Sequence, residues 1–144
     1  MTDWLLRASD GSNFFSSLPR KIWGINSTIS NHKYFIKNVK ENDRLWVIKA
    51  KSKGKILAVV NYKTHKKREL GPLLNLSKTN QELGWEEDKF WDIEVIYDNI
   101  YLLDDVEGLE TEIKNPAGII KYNEKCKLNL PEEYNYIVRY RKKF

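Results

Sequence analysis

The hydrophobic and polar positions of the chain predict about five or six short β-strands and two or three short helices. Strands are expected where apolar residues run together or alternate with polar ones, at residues 3–9, 44–50, 55–64, 89–104 (with a second short strand at 99–103) and 134–144. Short helices are expected over 14–18, ending before Pro19, and over 106–113, with residues 25–33, 65–88 and 115–134 mainly as loops. Loops rather than regular helices separate the strands, so the pattern favours a small α+β or mostly β barrel fold over a doubly wound one.

Composition indicates a globular chain that forms one domain over residues 1–144. The 144 residues are 41% hydrophobic and 31% charged, with neither an internal repeat nor a linker. No apolar run approaches the roughly 18 residues that cross a membrane, and the first residues lack the pattern of a signal peptide. Cys126 is the single cysteine, so we expect an intracellular protein, cytoplasmic or nuclear, without an internal disulfide. We also expect a monomer.

Charge is unevenly distributed along the chain. Residues 49–68 contain eight basic residues and no acidic one, whereas residues 82–112 contain twelve acidic residues and one basic residue. Lys49, Lys51, Lys53 and Lys55 alternate across a tight turn predicted at 52–54, which places several of them on one face. Two solvated faces explain this pattern, and so does a positive face that binds a polyanion.

The sequence contains no motif typical of an enzyme. Phosphate-binding, dinucleotide-binding, serine-hydrolase and zinc-protease patterns are all missing. A single cysteine excludes a zinc site built from cysteines, and His32 and His65 are too few for a histidine-rich site. Cys126 has no histidine in its local context, so we interpret it as a core thiol. We expect no catalytic residue, no metal and no cofactor.

The five tryptophans divide into two groups. Trp4, Trp46 and Trp91 fall within predicted strands and are expected in the core. Trp23 follows "SLPRKI" and Trp85 lies in "LGWEED", both outside the predicted strands. Aromatic side chains in such places, on a chain with a basic face, are typical of surfaces on which nucleobases stack.

Residues 4–24, "WLLRASDGSNFFSSLPRKIWG", resemble the opening of YTH domains, which read N6-methyladenosine in RNA, and also the related EVE domains. In YTH domains a basic residue ends the first strand, a polar residue follows six positions later and a cage tryptophan sixteen positions later. Arg7, Asn13 and Trp23 have these spacings. The resemblance implies a PUA-like fold, mostly a β barrel, and a non-enzymatic reader of a modified base.

A second matching segment is "GWEEDKFWDIEV", residues 84–95, where Trp85 takes the place of a second cage tryptophan. Phe90 is the expected third wall, with Leu83 as the alternative. Two features depart from YTH domains: Ala8 replaces the usual serine, although Ser9 follows, and the helix between the first tryptophan and the next strand is expected to be missing. Residues 35–48 instead resemble EVE domains.

Beside the resemblance, the chemistry of base and phosphate binding indicates roles for individual residues. Asn13 suits a ring nitrogen of the base, whereas Ser9 and the backbone near Trp23 and Gly24 suit its exocyclic groups. Gly24 lets the backbone approach the ligand closely. The expected contacts to the nucleic-acid backbone are basic side chains: Arg7, His65, Lys66, Lys67 and Arg68.

The expected ligand is N6-methyladenosine, with RNA favoured over DNA as the partner. Three alternatives remain open. They are a reader of modified cytosine in DNA, as suggested for EVE relatives; an amidohydrolase similar to ASCH domains, which needs a Lys–Glu pair in its pocket; and a protein-interaction domain whose loop tryptophans are hot spots.

Overall fold

The computed structural model describes residues 1–50, 52–69, 78–86, 89–113, 118–123 and 125–144. It has a curled six-stranded sheet, half of a barrel, and three short helices, which confirms the predicted α+β class and is consistent with a PUA-like barrel. The strands are β1 (Asp3–Arg7), β2 (Ile22–Ile25), β3 (Arg44–Ile48), β4 (Ile56–Lys67), β5 (Ile93–Leu102) and β6 (Ile119–Lys121). The helices are α1 (Ser12–Ser17), α2 (Ser30–Asn38) and α3 (Leu130–Tyr140), and a 3-10 turn, Leu18–Arg20, follows α1.

The strand order in the sheet is β2-β5-β4-β3-β1-β6. Strands β1 and β3 are parallel neighbours, and the other neighbouring pairs are antiparallel. A parallel pair requires a crossover connection, and here the crossover consists of α1, β2 and α2. The segment that carries Asn13 and Trp23 is therefore part of this crossover.

Alternating side chains form two hydrophobic layers, one on each side of the sheet. Trp4 of β1 packs in one layer with Phe14 of α1 and Phe35 of α2. Trp46 of β3 packs in the other layer with Leu130 and Ile137 of α3, together with Cys126. Trp4, Trp46 and Cys126 are thus in the core as predicted. Because both faces are covered, all five residues of β3 are buried.

The C-terminal segment is a helix, so the strand predicted over 134–144 is wrong. Alternation of apolar residues suggested a strand, but the buried positions Leu130 and Ile137 are seven apart, which is two helical turns. Local signals favour the helix as well. The side chain of Asn129 caps it by accepting a hydrogen bond from the Glu132 amide, and Pro131 occupies its first turn.

Six further expectations differ from the structure. Residues 106–113 form turns with an isolated bridge between Lys55 and Glu110, not a helix. Helix α2 begins inside the loop predicted at 25–33 and fills the place of the helix expected to be missing. Strand β6 lies inside the loop predicted at 115–134, and β5 is one strand rather than two. The loop predicted from residue 65 is shorter, because β4 continues to Lys67; residues 70–77 lie outside the described part of the chain.

Candidate functional site

A cavity of about 220 Å³, the Trp23 cavity, brings together five of the residues predicted for base binding or backbone contact: Arg7, Ser9, Asn13, Trp23 and Gly24. Ala8, Ile29, His32, Trp91, Gly118 and Ile119 complete its described lining. The cavity is smaller than the roughly 300–1,000 Å³ typical of sites for drug-sized ligands. Its size suits one flat group the size of a nucleobase.

A sharp change of chain direction after β1 shapes one side of the cavity. Ser9 and Gly11 both have positive φ, 49° and 93°, and the Gly11 amide donates to the Ala8 carbonyl at 2.7 Å. This turn leads into α1 and places Asn13 beside the end of β1. The described residues give the Asn13 side-chain amide no hydrogen-bond partner, so it remains free to donate to and accept from a ligand.

Trp23 lies in strand β2 at the edge of the sheet, not in a loop as predicted. It pairs with Val95 of β5 and is half-buried. The strand has only four residues and contains Gly24, so it shows too little alternation to be recognised in the sequence. Because strand pairing fixes its backbone, the Trp23 ring is presented to the cavity by a rigid element.

Trp85 is the support for Trp23 rather than a wall of the described cavity. It lies outside the strands, as predicted, but it is only 5% exposed. Its ring packs edge-on against that of Trp23, with centroids 6.0 Å apart, and its indole N–H donates to the Asn13 carbonyl at 2.9 Å. This hydrogen bond ties the second tryptophan to α1 and fixes the ring behind Trp23.

Trp91 is the second aromatic residue that lines the Trp23 cavity, not a core residue as predicted. It is half-buried and precedes β5, outside any strand. At Gly24 a Cβ atom would lie 2.8 Å from both the Trp91 Cβ and the Trp85 ring. The glycine is therefore required so that both tryptophans can pack against β2.

Phe90 and Leu83, the two residues considered for a third wall, do not line this cavity. Leu83 is buried in the core, and Phe90 is 61% exposed. Phe90 lines a second cavity of about 720 Å³, the Phe90 cavity, whose described lining also includes Lys67, Arg68 and Lys89. Trp91 contributes to both cavities.

His32 of α2 is a polar residue of the Trp23 cavity that the sequence did not predict there. Its Nδ1 lies 2.9 Å from the Asn26 carbonyl oxygen. Burial lowers the pKa of His32 below its ordinary value of 6.5, although the Asn26 carbonyl and the Asp92 carboxylate both favour the protonated form. Its local sequence, "SNHKY", contains no signal for this position, which depends on the packing of α2 against β6.

The residues predicted to contact the nucleic-acid backbone are not equivalent in the structure. Arg7 lines the Trp23 cavity and Lys67 is exposed beside the Phe90 cavity. Lys66 lies 3.8 Å from Glu94, and His65 Nδ1 lies 2.6 Å from the Tyr62 hydroxyl. Desolvation lowers the pKa of His65, so it contributes no positive charge at neutral pH.

Arg68 is buried and does not fit the predicted phosphate contact. Its guanidinium donates to the Asn80 side chain at 2.6 Å and to the Trp91 carbonyl at 3.1 Å, and its Nε lies 3.5 Å from Glu94. It also lies over the Trp85 ring, 5.5 Å from the centroid. Arg68 thus holds the segments that carry the two tryptophans against β4.

Substitution of Arg68 should therefore lower the stability of the protein much more than substitution of its neighbour Lys67. We expect Arg68→Ala to lower the free energy of unfolding by roughly 1–3 kcal/mol, because it leaves buried hydrogen-bonding groups without partners. Lys67→Ala is the matched control and should change stability by less than about 0.5 kcal/mol. Urea unfolding measures both, and equal stability of the two variants would contradict the structural role of Arg68.

Comparison with protein-family models and with curated proteins finds no match. Among the described residues there is no group of three or more His, Cys, Asp or Glu side chains placed to hold a metal ion. None of the helices in the described part of the chain is both long and apolar enough to cross a membrane.

Proposed function

We propose that this chain is a non-enzymatic nucleic-acid-binding protein that takes one modified base, N6-methyladenine in RNA, into the Trp23 cavity. The observation that carries the proposal is the convergence of Arg7, Asn13 and Trp23 on one cavity of single-base size. Their spacing is the feature in which the sequence resembles YTH domains. The same resemblance makes RNA the expected polymer.

The chemistry of the cavity supports a methylated base. Stacking on an aromatic side chain contributes roughly 1–3 kcal/mol per base, and burial of one methyl group adds about 0.8 kcal/mol. Trp23 and Trp91 supply the aromatic surface. The free amide of Asn13 offers a partner to the buried edge of the base, which limits the cost of removing that edge from water.

The cavity also bears on the amidohydrolase alternative, which requires a Lys–Glu pair. The described lining of the Trp23 cavity contains neither a lysine nor a glutamate. Arg7 is the single charged residue in this lining. Glu94 is buried, but it lies next to Arg68 and Lys66 outside this lining. These placements support binding rather than hydrolysis.

A direct test compares short oligonucleotides by fluorescence anisotropy at one stated salt concentration. The probes are RNA with adenine or N6-methyladenine at one position, and DNA with cytosine or 5-methylcytosine. We expect methylated RNA to bind at least about fourfold more tightly than unmodified RNA, the equivalent of about 0.8 kcal/mol. Preference for methylcytosine DNA supports the cytosine alternative, and equal binding of all four probes contradicts the proposal.

A further inference from the structure

His32 provides an unpaired acceptor at the Trp23 cavity. The Asn26 carbonyl can only accept a hydrogen bond, so the 2.9 Å contact requires the proton of the neutral ring to be on Nδ1. Nε2 then carries a lone pair and no proton. The described residues give Nε2 no hydrogen-bond partner, although His32 is only 5% exposed.

His32 and Gly118 both line the Trp23 cavity, and they pack against each other at Nε2. Gly118, which also lines the cavity, lies so close that a Cβ atom there would meet Nε2. Any side chain at position 118 would collide with this edge of the ring, so the glycine allows His32 to keep its place beside the cavity. A ligand that brings an N–H group into the cavity can donate a hydrogen bond to this acceptor.

We propose that Nε2 of His32 accepts a hydrogen bond from the exocyclic N–H of the bound base, and that it thereby distinguishes a monomethylated amine from a dimethylated one. The inference rests on the proposed function, because it assumes that a base occupies the cavity. A monomethylated amino group keeps one N–H, which can reach Nε2. A dimethylated amino group has none and leaves Nε2 unpaired.

The charged groups around His32 allow the neutral state that this role requires. Asp92, which precedes β5, favours the protonated ring, whereas Arg7 at the end of β1 is a cation on the same cavity. The described residues of α2 and β6 that line the cavity add no further charge. With the pKa of His32 below its ordinary 6.5, the ring is neutral at pH 7.5.

The test uses one RNA sequence with adenine, N6-methyladenine or N6,N6-dimethyladenine at a single position. At pH 7.5 the dimethylated RNA should bind at least tenfold more weakly than the monomethylated RNA, the equivalent of about 1.4 kcal/mol. His32→Phe keeps an aromatic ring but removes the acceptor, so the difference should fall below about threefold. If the difference persists in His32→Phe, it reflects the size of the second methyl group and the inference is wrong.

Two measurements on the unaltered protein keep the inference testable should His32→Phe fail to fold. The ratio of monomethyl to dimethyl affinity should shrink as the pH falls well below 6.5, because protonation turns Nε2 into a donor. Nitrogen-15 NMR of the free protein should show the Nδ1–H tautomer. A pH-independent ratio or an Nε2–H tautomer overturns the inference.

The outcomes separate this inference from the proposed function. Equal binding of adenine and monomethyladenine, both tighter than dimethyladenine, contradicts the methyl reader but supports the acceptor. Preference for the monomethylated over the unmodified base, with no loss for the dimethylated one, supports the reader and overturns the acceptor. A 2′-deoxy substitution at the same position should leave the ratio unchanged; loss of discrimination there would show that Nε2 reads the ribose hydroxyl instead.

Discussion

Replacing Trp23 with alanine should weaken binding of the methylated RNA at least tenfold, the equivalent of about 1.4 kcal/mol. Trp23 is the one tryptophan among the described residues that both lies in a strand and lines the Trp23 cavity. Its removal deletes a stacking surface worth roughly 1–3 kcal/mol. It also deletes the ring against which Trp85 packs. Isothermal titration of the variant against the methylated RNA measures the loss.

A matched control is Tyr136→Ala. Tyr136 is an aromatic residue that is 62% exposed on α3, whose buried side faces the opposite hydrophobic layer. A protein that binds nucleic acid through nonspecific aromatic contacts would lose affinity in both variants. The proposed site requires a loss only at Trp23, with circular dichroism showing that both variants remain folded. If Trp23→Ala keeps the wild-type affinity, the Trp23 cavity is not the site that binds the methylated base.

Much of the central sheet could be predicted from the sequence, because its strands are buried on both faces. Residues 44–50 contain a run of apolar residues and end near the turn at 52–54, which predicts β3 and the return into β4. The C-terminal segment was harder to predict. Leu130, Tyr134 and Ile137 are spaced as one face of a helix, yet Tyr134, Tyr136 and Val138 also alternate as in a strand. The cap at Asn129 and the proline in the first turn are the local signals that distinguish the two patterns.

Some residues of the candidate site could likewise be predicted from the sequence, and others could not. Arg7, Asn13 and Trp23 lie close in sequence, so a spacing pattern was sufficient to group them. Trp85 and Trp91 are six residues apart, and their roles depend on which ring packs under Gly24. His32 reaches the cavity because α2 packs near Gly118. Such tertiary placement leaves no periodic signal in a single sequence.

Removal of Asp3 should produce the largest loss of stability, about 3–5 kcal/mol for Asp3→Ala in urea unfolding. Asp3 is buried at the start of β1, directly opposite Arg44 of β3. Its carboxylate accepts hydrogen bonds from Arg44 at 2.7 and 3.0 Å and from the Trp46 indole at 2.8 Å. Alanine would leave the buried guanidinium and the buried indole N–H without their acceptor.

Most of this loss of stability comes from the buried charge of Arg44, which Asp3→Ala leaves unpaired, rather than from the lost contact itself. Arg44→Met combined with Asp3→Ala removes both charges, so the double variant should be more stable than Asp3→Ala alone. A matched surface control is Lys127→Met, which breaks the exposed pair with Glu112 at 3.5 Å and should cost less than about 1 kcal/mol. A double variant no more stable than the single one would show that Asp3 acts through Trp46 or the β1–β3 register instead. Either result locates what holds β1 in the parallel pairing that brings Arg7 to the Trp23 cavity.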